Sequence, residues 1–279
     1  MYIQNTYLRT AYRSLTAVFL TWGILLHFSC TDGDTTAHNF SFFTVQSNLL
    51  CLICVLLLLR QDFRRIRTIR ADPSVQSSVS DSSPHSFNAN STAVSFDSDP
   101  TADRFDHAST LGGFHADPEP PYLPAFHELK FTATLCILVT FLCNHAVVLF
   151  SRTFTGGVLG LPMKSFLAHY VAPALITLDW LLFTPKGRLH AYSPLRWMLA
   201  PAFYLLFTAL RALCCEEEVL TRTGKYPYFF LNVDLVGARV YIYIGIYFAC
   251  FLAVGYLIFF TDLILGRIHR REHEYIAAK

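Results

Sequence analysis

Apolar residues gather into six blocks, each about as long as a helix that crosses a bilayer, and charged residues are nearly absent inside them. The blocks run over roughly 12–30, 41–60, 129–151, 164–183, 195–214 and 239–263. Their apolar character is continuous, whereas barrel strands alternate. Only helices and closed barrels satisfy their own backbone in lipid, so each block predicts a spanning helix. The expected fold is all-α: a polytopic membrane protein with six transmembrane helices in one bundle.

The first block follows basic residues and so mimics a signal peptide. It ends in "HFSC" with no small-x-small cleavage site, and is read as a retained first span. Basic residues then set the orientation. Arg9 and Arg13 precede the first block, "RQDFRRIRTIR" follows the second, Lys186 and Arg188 follow the fourth, and Arg267, Arg270 and Arg271 follow the sixth. With six spans, all four places fall on one side. The other side carries "TDGDTTAHNF", a short turn containing Arg152 and the acidic "CEEE" segment. Both termini are therefore expected in the cytoplasm, with outer loops at 31–40, 152–163 and 215–238, in a multi-pass protein of the cell membrane.

Residues 71–124 break the pattern. They are rich in Ser, Asp, Pro, Asn and His, with no apolar periodicity. Such a segment buries too little surface to offset its ordering entropy. The chain thus divides into 1–70 (spans one and two with a basic end), a disordered cytoplasmic linker at 71–124, and 125–279 (spans three to six with a basic tail). His85, His107, His115 and His127 are too scattered to form a metal site.

Composition agrees with the membrane reading. The 279 residues are 53% hydrophobic and 15% charged, with a mean hydropathy of +0.38, against about 25% charged in soluble domains. The net charge of +2 gives no reason to expect nucleic acid as a partner. Cys51-x-x-Cys54 has no second pair at metal-ligand spacing and reads as two small apolar side chains.

One polar group stands out. Thr44, Ser47 and Asn48 occupy positions i, i+3 and i+4 at the mouth of the second block, on one helical face that Cys51 continues. In hydrocarbon such a face points into the bundle. His27, the pair Asn144-His145, and His169 reach about the same depth from three other blocks. The loop stretch "YPYFFLNVD", with Tyr226 and Asn232, and Arg239 add to that layer from outside. Intramembrane polar residues are functional candidates by default, although Thr, Ser and Asn also serve helix packing. Asp179 differs. Ten residues past His169, it lies about 15 Å deeper at 1.5 Å per residue. It is read as a structural or ion-pairing residue beside Trp180 and near Lys186 and Arg188.

The stretches "FFTVQSNLL", "HYVAPALITLDWLLFTPKG" and "YPYFFLNVDLVGAR" resemble the six-span membrane family related to androgen-induced proteins, its bacterial branch in particular. The resemblance covers nearly the whole chain outside 71–124. It implies a membrane threonine hydrolase that cleaves fatty-acid esters of hydroxy fatty acids, with a Thr in the second span and a His in the fourth. The matching positions are Thr44 and His169, and Asp179 fills the family's acidic position ten residues after that His. The chain departs from the animal members in "HYVAP", one residue shorter between His and Pro, and in "DWLLFTPKG" and "SNLL".

The chemistry this implies needs no cofactor. A Thr hydroxyl becomes a useful nucleophile when a base within hydrogen-bond reach takes its proton, and His is the usual base. A tetrahedral intermediate would also need oxyanion donors. Ser47, Asn48, Asn144 and Arg239 are open candidates, and His145, Tyr226 and Asn232 are further candidates for substrate contact. The expected partners are the bilayer and a membrane lipid or acyl-ester substrate, met from the extracytoplasmic side. The alternative is a non-enzymatic binding or transport protein whose polar layer holds a small ligand. Its haem form would use His27, His145 and His169, but no helix carries a supporting His pair.

Overall fold

The computed structural model of the protein describes residues 3, 5–28, 39–71, 124–155, 162–214 and 225–277. The segment read as a linker, 71–124, lies outside them except for its two ends, Ala71 and Pro124. Among the described residues every regular element is helical. The main helices are α1 (Thr6–Phe28), α2 (Phe43–Ala71), α3 (Pro124–Thr155), α4 (Met163–Phe183), α5 (Ser193–Cys214) and α6 (Arg239–Ala277). A 3-10 turn, Phe229–Leu231, and a short helix, Val233–Val236, precede α6.

Helices α2 to α6 are long and apolar enough to cross a membrane. α1 is 23 residues long, but its arginines, threonines and His27 dilute its apolar content, and it is not among those five. α2 and α6 run past the ends of their apolar blocks, because "RQDFRRIRTIR" and "RIHRREHEY" are rich in residues that favour or tolerate helix.

α3 is the centre of the bundle and touches α2, α4, α5 and α6, while α1 packs against α2 and α4. One apolar cluster gathers Phe43, Phe131, Trp180, Trp197, Tyr204 and Phe251, where Phe131 stacks on Trp197 with ring centroids 5.4 Å apart. A second gathers Leu20, Cys51, Cys54, Leu58, Ile137 and Ile176. Cys51, Cys54 and Cys136 are buried free thiols.

At one end of the bundle four helices are joined by buried charge. Arg9 and Arg13, one turn apart on α1, clamp the Asp62 carboxylate of α2: Arg9 Nη2 reaches Oδ1 and Arg13 Nη1 reaches Oδ2, each at 2.8 Å. Arg13 Nε continues to Asp179 Oδ1 of α4 at 2.8 Å. Lys130 Nζ of α3 donates to Asp179 Oδ2 and to Thr184 Oγ1. All five ionic side chains are at most 7% exposed. The Asp179 end is fixed further by Glu128, which accepts from Ser193 Oγ at 2.9 Å and Trp197 Nε1 at 2.7 Å. It is also fixed by Gly187, whose amide donates to Asp262 Oδ2 at 2.8 Å. Gly187 has φ +74° and lies flat against Gly266 of α6, a contact that only hydrogen-sized side chains allow.

Two expectations change here. Arg9 and Arg13 are not only flanking charges; they lie within α1, 3% and 1% exposed, and are committed to ion pairs. Asp179 draws its partners from α1 and α3, whereas Lys186 is spent on the carbonyls of Trp180 and Thr184. The reason is register: an inward-facing carboxylate meets the cations of packed helices before those of an adjoining loop.

Candidate active site

At the opposite end, Thr44 opens α2, and Ser47, Asn48 and Cys51 follow on its inner face, at 1%, 4% and 0% exposure for the last three. Each has a partner that ties α2 to a neighbour. Ser47 Oγ lies 3.0 Å from the Thr44 carbonyl oxygen and 3.1 Å from Thr140 Oγ1 of α3. Asn48 Nδ2 donates to the Thr44 carbonyl at 2.8 Å and to the Ala168 carbonyl of α4 at 3.3 Å. Cys51 Sγ approaches the Ala133 carbonyl of α3 at 3.6 Å.

α4 brings His169 to this layer through a local irregularity. Leu167–Val171 forms a π-helical turn, in which the Ala172 amide bonds the Leu167 carbonyl five residues back. Pro173 follows directly. It has no N–H, so the His169 carbonyl four residues earlier loses its ordinary helical partner. The wider turn absorbs that defect, and such turns recur at functional sites. His169 sits in the middle of it, half-buried.

Thr44 Oγ1 and His169 Nε2 are 3.2 Å apart. The other ring nitrogen, Nδ1, lies 2.9 Å from the Ser165 carbonyl oxygen and 3.3 Å from Ser165 Oγ. A carbonyl only accepts, so Nδ1 carries the proton of the neutral ring. Nε2 then presents its lone pair, and the Thr44 hydroxyl donates to it. A hydroxyl, an imidazole acceptor and a group that orients the imidazole are the parts of an activated nucleophile. The orienting group here is a backbone carbonyl one turn back on α4, not Asp179, which is buried among Arg13 and Lys130.

Tyr228, just before the 3-10 turn, completes the surroundings of Thr44. Its phenol oxygen lies near the Thr44 hydroxyl and the backbone of Phe43 and Thr44. Burial pushes the Tyr228 phenol up to about 12, so it keeps its proton at neutral pH. Its ring packs edge-on against Phe42, with centroids 5.8 Å apart.

The remaining sequence-predicted residues are placed differently. His145 faces Tyr170, with Nδ1 3.4 Å from the phenol oxygen, and stacks on Phe141. His27 bonds the Gly23 carbonyl of its own helix at 2.9 Å. It lines a small recess with Gly23, Ile24, Val45, Asn48 and Ala168. Asn232 caps the Val233–Val236 helix, its Oδ1 accepting from the amides of Asp234 and Leu235. Tyr226 packs beside Lys225, whose Nζ is 5.7 Å from the ring centroid. Arg239 is exposed at the start of α6. Asn144 is half-buried, and its Nδ2 is enclosed with no hydrogen-bond partner. Among the described residues no group of three His, Cys, Asp or Glu is arranged to hold a metal ion.

Sequence reasoning missed Ser165, Thr140 and Tyr228. Ser165 was within reach of it, being four residues before His169 on one helix. Tyr228 lay in a stretch already singled out, but nothing in the sequence chose it over Tyr226. Comparison with family models, with curated proteins and with solved structures finds no match to the chain.

Proposed function

We propose that this protein is an integral membrane hydrolase of lipid esters in which Thr44 is the nucleophile and His169 its base. The observation that carries the reading is the 3.2 Å approach of Thr44 Oγ1 to a His169 Nε2 left unprotonated by the Ser165 carbonyl. In the reaction, Thr44 Oγ bonds the ester carbonyl carbon while Nε2 takes its proton. Collapse of the tetrahedral intermediate breaks the bond to the ester oxygen, and the alcohol leaves with that proton. Water then attacks the acyl-Thr44 ester, giving its proton to Nε2, which returns it to Thr44 Oγ as the acid departs. The resemblance to the androgen-induced-protein family supports esters of hydroxy fatty acids as the substrate class.

The same proposal includes the topology. α1 is a sixth span despite its arginines, because those arginines are neutralised inside the bundle. Both termini are cytoplasmic and the Thr44 end faces outward, where an acyl chain enters from the bilayer and water from outside.

Covalent labelling by a fluorophosphonate probe on the full-length protein tests this. Wild type is expected to label and Thr44→Ala not at all. His169→Ala should label roughly 10²–10⁴-fold more slowly, as when a general base is lost. Thr44→Ser should keep part of the signal because the hydroxyl survives. Equal labelling of all four proteins would sink the mechanism and leave the pair as a packing or ligand-binding feature.

A further inference from the structure

The ester-hydrolase reading leaves the oxyanion unassigned, and hydrogen bonding narrows the field. Ser47 spends its hydroxyl between the Thr44 carbonyl and Thr140. Asn48 spends its amide on two carbonyls. Arg239 is exposed at a helix start. Asn144 has an amide nitrogen that is enclosed by protein and donates to nothing. A buried donor without an acceptor costs stability, and such a group calls for an explanation.

Position supplies one. α2 and α3 are antiparallel, with Ser47 opposite Thr140 and Cys51 beside the Ala133 carbonyl. Stepping one turn outward from Ser47–Thr140 pairs the first turn of α2, Phe43 and Thr44, with residues 143 and 144 of α3. Thr140 and Asn144, four apart, share a face of α3, so the face that meets α2 at Thr140 carries Asn144 to the level of Thr44. The next residue, His145, touches Tyr170, the immediate neighbour of His169 on α4. Asn144 is therefore set between the helices that carry Thr44 and His169.

We propose that Asn144 is a catalytic residue whose free amide donates to the oxyanion of the tetrahedral intermediate formed at Thr44. This rests on the ester-hydrolase reading. The donor is unpartnered in the resting protein because its acceptor exists only during the reaction. The arrangement stabilises the transition state more than the bound ester, which is how preorganised donors accelerate acyl transfer. Negative charge forms on the carbonyl oxygen as Thr44 Oγ adds to the carbon. Asn144 N–H takes up that charge by hydrogen bonding and gives up no proton.

The test is Asn144→Leu, nearly the same size and without a donor, in full-length protein in nanodiscs. With p-nitrophenyl laurate as the ester, kcat should fall about 10²–10³-fold, the range for loss of one oxyanion donor, with KM changed by less than about threefold. Affinity for a dodecyl trifluoromethyl ketone, which forms a tetrahedral adduct with the nucleophile, should fall by a similar factor. Thermal stability should not fall, because an unsatisfied buried donor has been removed. Asn144→Ala, which vacates the position rather than filling it, should show the same split of kcat from KM and guards against a steric effect of Leu. Turnover within about threefold of wild type in folded Asn144→Leu overturns the assignment. So does a loss of activity that only tracks a loss of folded protein in both variants. Absence of wild-type turnover and labelling overturns the hydrolase reading itself, and this inference with it.

Discussion

At the Asp179 end of the bundle, three cations and two carboxylates from four helices neutralise one another, and each of them has at least one close partner. At the Thr44 end the polar groups are neutral hydroxyls, an imidazole, a phenol and two amides, one of which donates to nothing. The two ends sit in one fold and share α2, α3 and α4, so the difference is not one of burial. The first end has committed its charges to joining helices, although His127 Nε2 and Trp180 Nε1 beside them are buried without a hydrogen-bond partner. The second instead pairs a hydroxyl with a neutral imidazole and keeps an amide donor unpartnered, and uncharged polar groups so placed inside a membrane bundle are where binding or chemistry can occur. Charge alone would have ranked the ends the other way.

The contrast is broken most severely at Asp179. Removing one partner of a buried ion pair leaves the other desolvated and uncompensated, at a cost of about 3–5 kcal/mol. Asp179→Asn leaves Arg13 and Lys130 with only the Asp62 carboxylate between them. It is expected to lower unfolding stability by that amount, measured by denaturant titration in detergent, while the ester turnover proposed above, per folded molecule, stays near wild type. A stably folded variant that has lost turnover by orders of magnitude would add Asp179 to the proposed catalytic pair and erase the division of labour.

Much of this plan was legible in the sequence, because hydropathy is a property of single residues and spans are long. Five of the six apolar blocks fall on helices long and apolar enough to cross a membrane and the first falls on α1, and Thr44 and His169 could be matched in depth by counting residues. What was not legible depends on helix rotation and register. Arg9, Arg13 and Lys130 look like ordinary flanking charges until α1 and α3 are turned so that they meet Asp62 and Asp179. The π turn at Leu167–Val171 leaves only Pro173 as a trace, and a proline predicts a disturbance without predicting its form. The missing acceptor at Asn144 is a fact about neighbours, which no local pattern encodes.

A smaller effect probes how rigid the Asp179 end is. A Cβ on Gly266 would stand 2.6 Å from Gly187 Cα and 2.8 Å from its nitrogen, both backbone atoms. Gly266→Ala must push the loop off α6, and overpacking of that kind costs roughly 1–3 kcal/mol. Gly245 on the same helix has nothing within 4 Å of an added Cβ, so Gly245→Ala should be neutral or stabilising by up to about 1 kcal/mol from helix propensity. Equal effects of the two substitutions on thermal unfolding would show that the glycine contact does not hold this end.

The mildest change bears on the Thr44 end, where it separates packing hydroxyls from working ones. Ser47 is 1% exposed, stands one turn below Thr44 and was an oxyanion candidate by sequence. Its hydroxyl is shared between the Thr44 carbonyl and Thr140. Thr140 also bonds the Cys136 carbonyl at 2.9 Å, so it keeps a partner when Ser47 is truncated. Ser47→Ala therefore loses a hydrogen bond without stranding a donor, and the expected cost is about 1 kcal/mol of stability. Turnover of p-nitrophenyl laurate should stay within about threefold of wild type, since the hydroxyl that is lost was never free to meet an oxyanion. If turnover instead falls by roughly two orders of magnitude, the scale of a lost oxyanion donor, with stability nearly unchanged, then Ser47 leaves Thr140 during the reaction. The proposed donor role would pass from Asn144 to Ser47, and the proposed chemistry at the Thr44 end would rest on a hydrogen bond that breaks rather than on one never made.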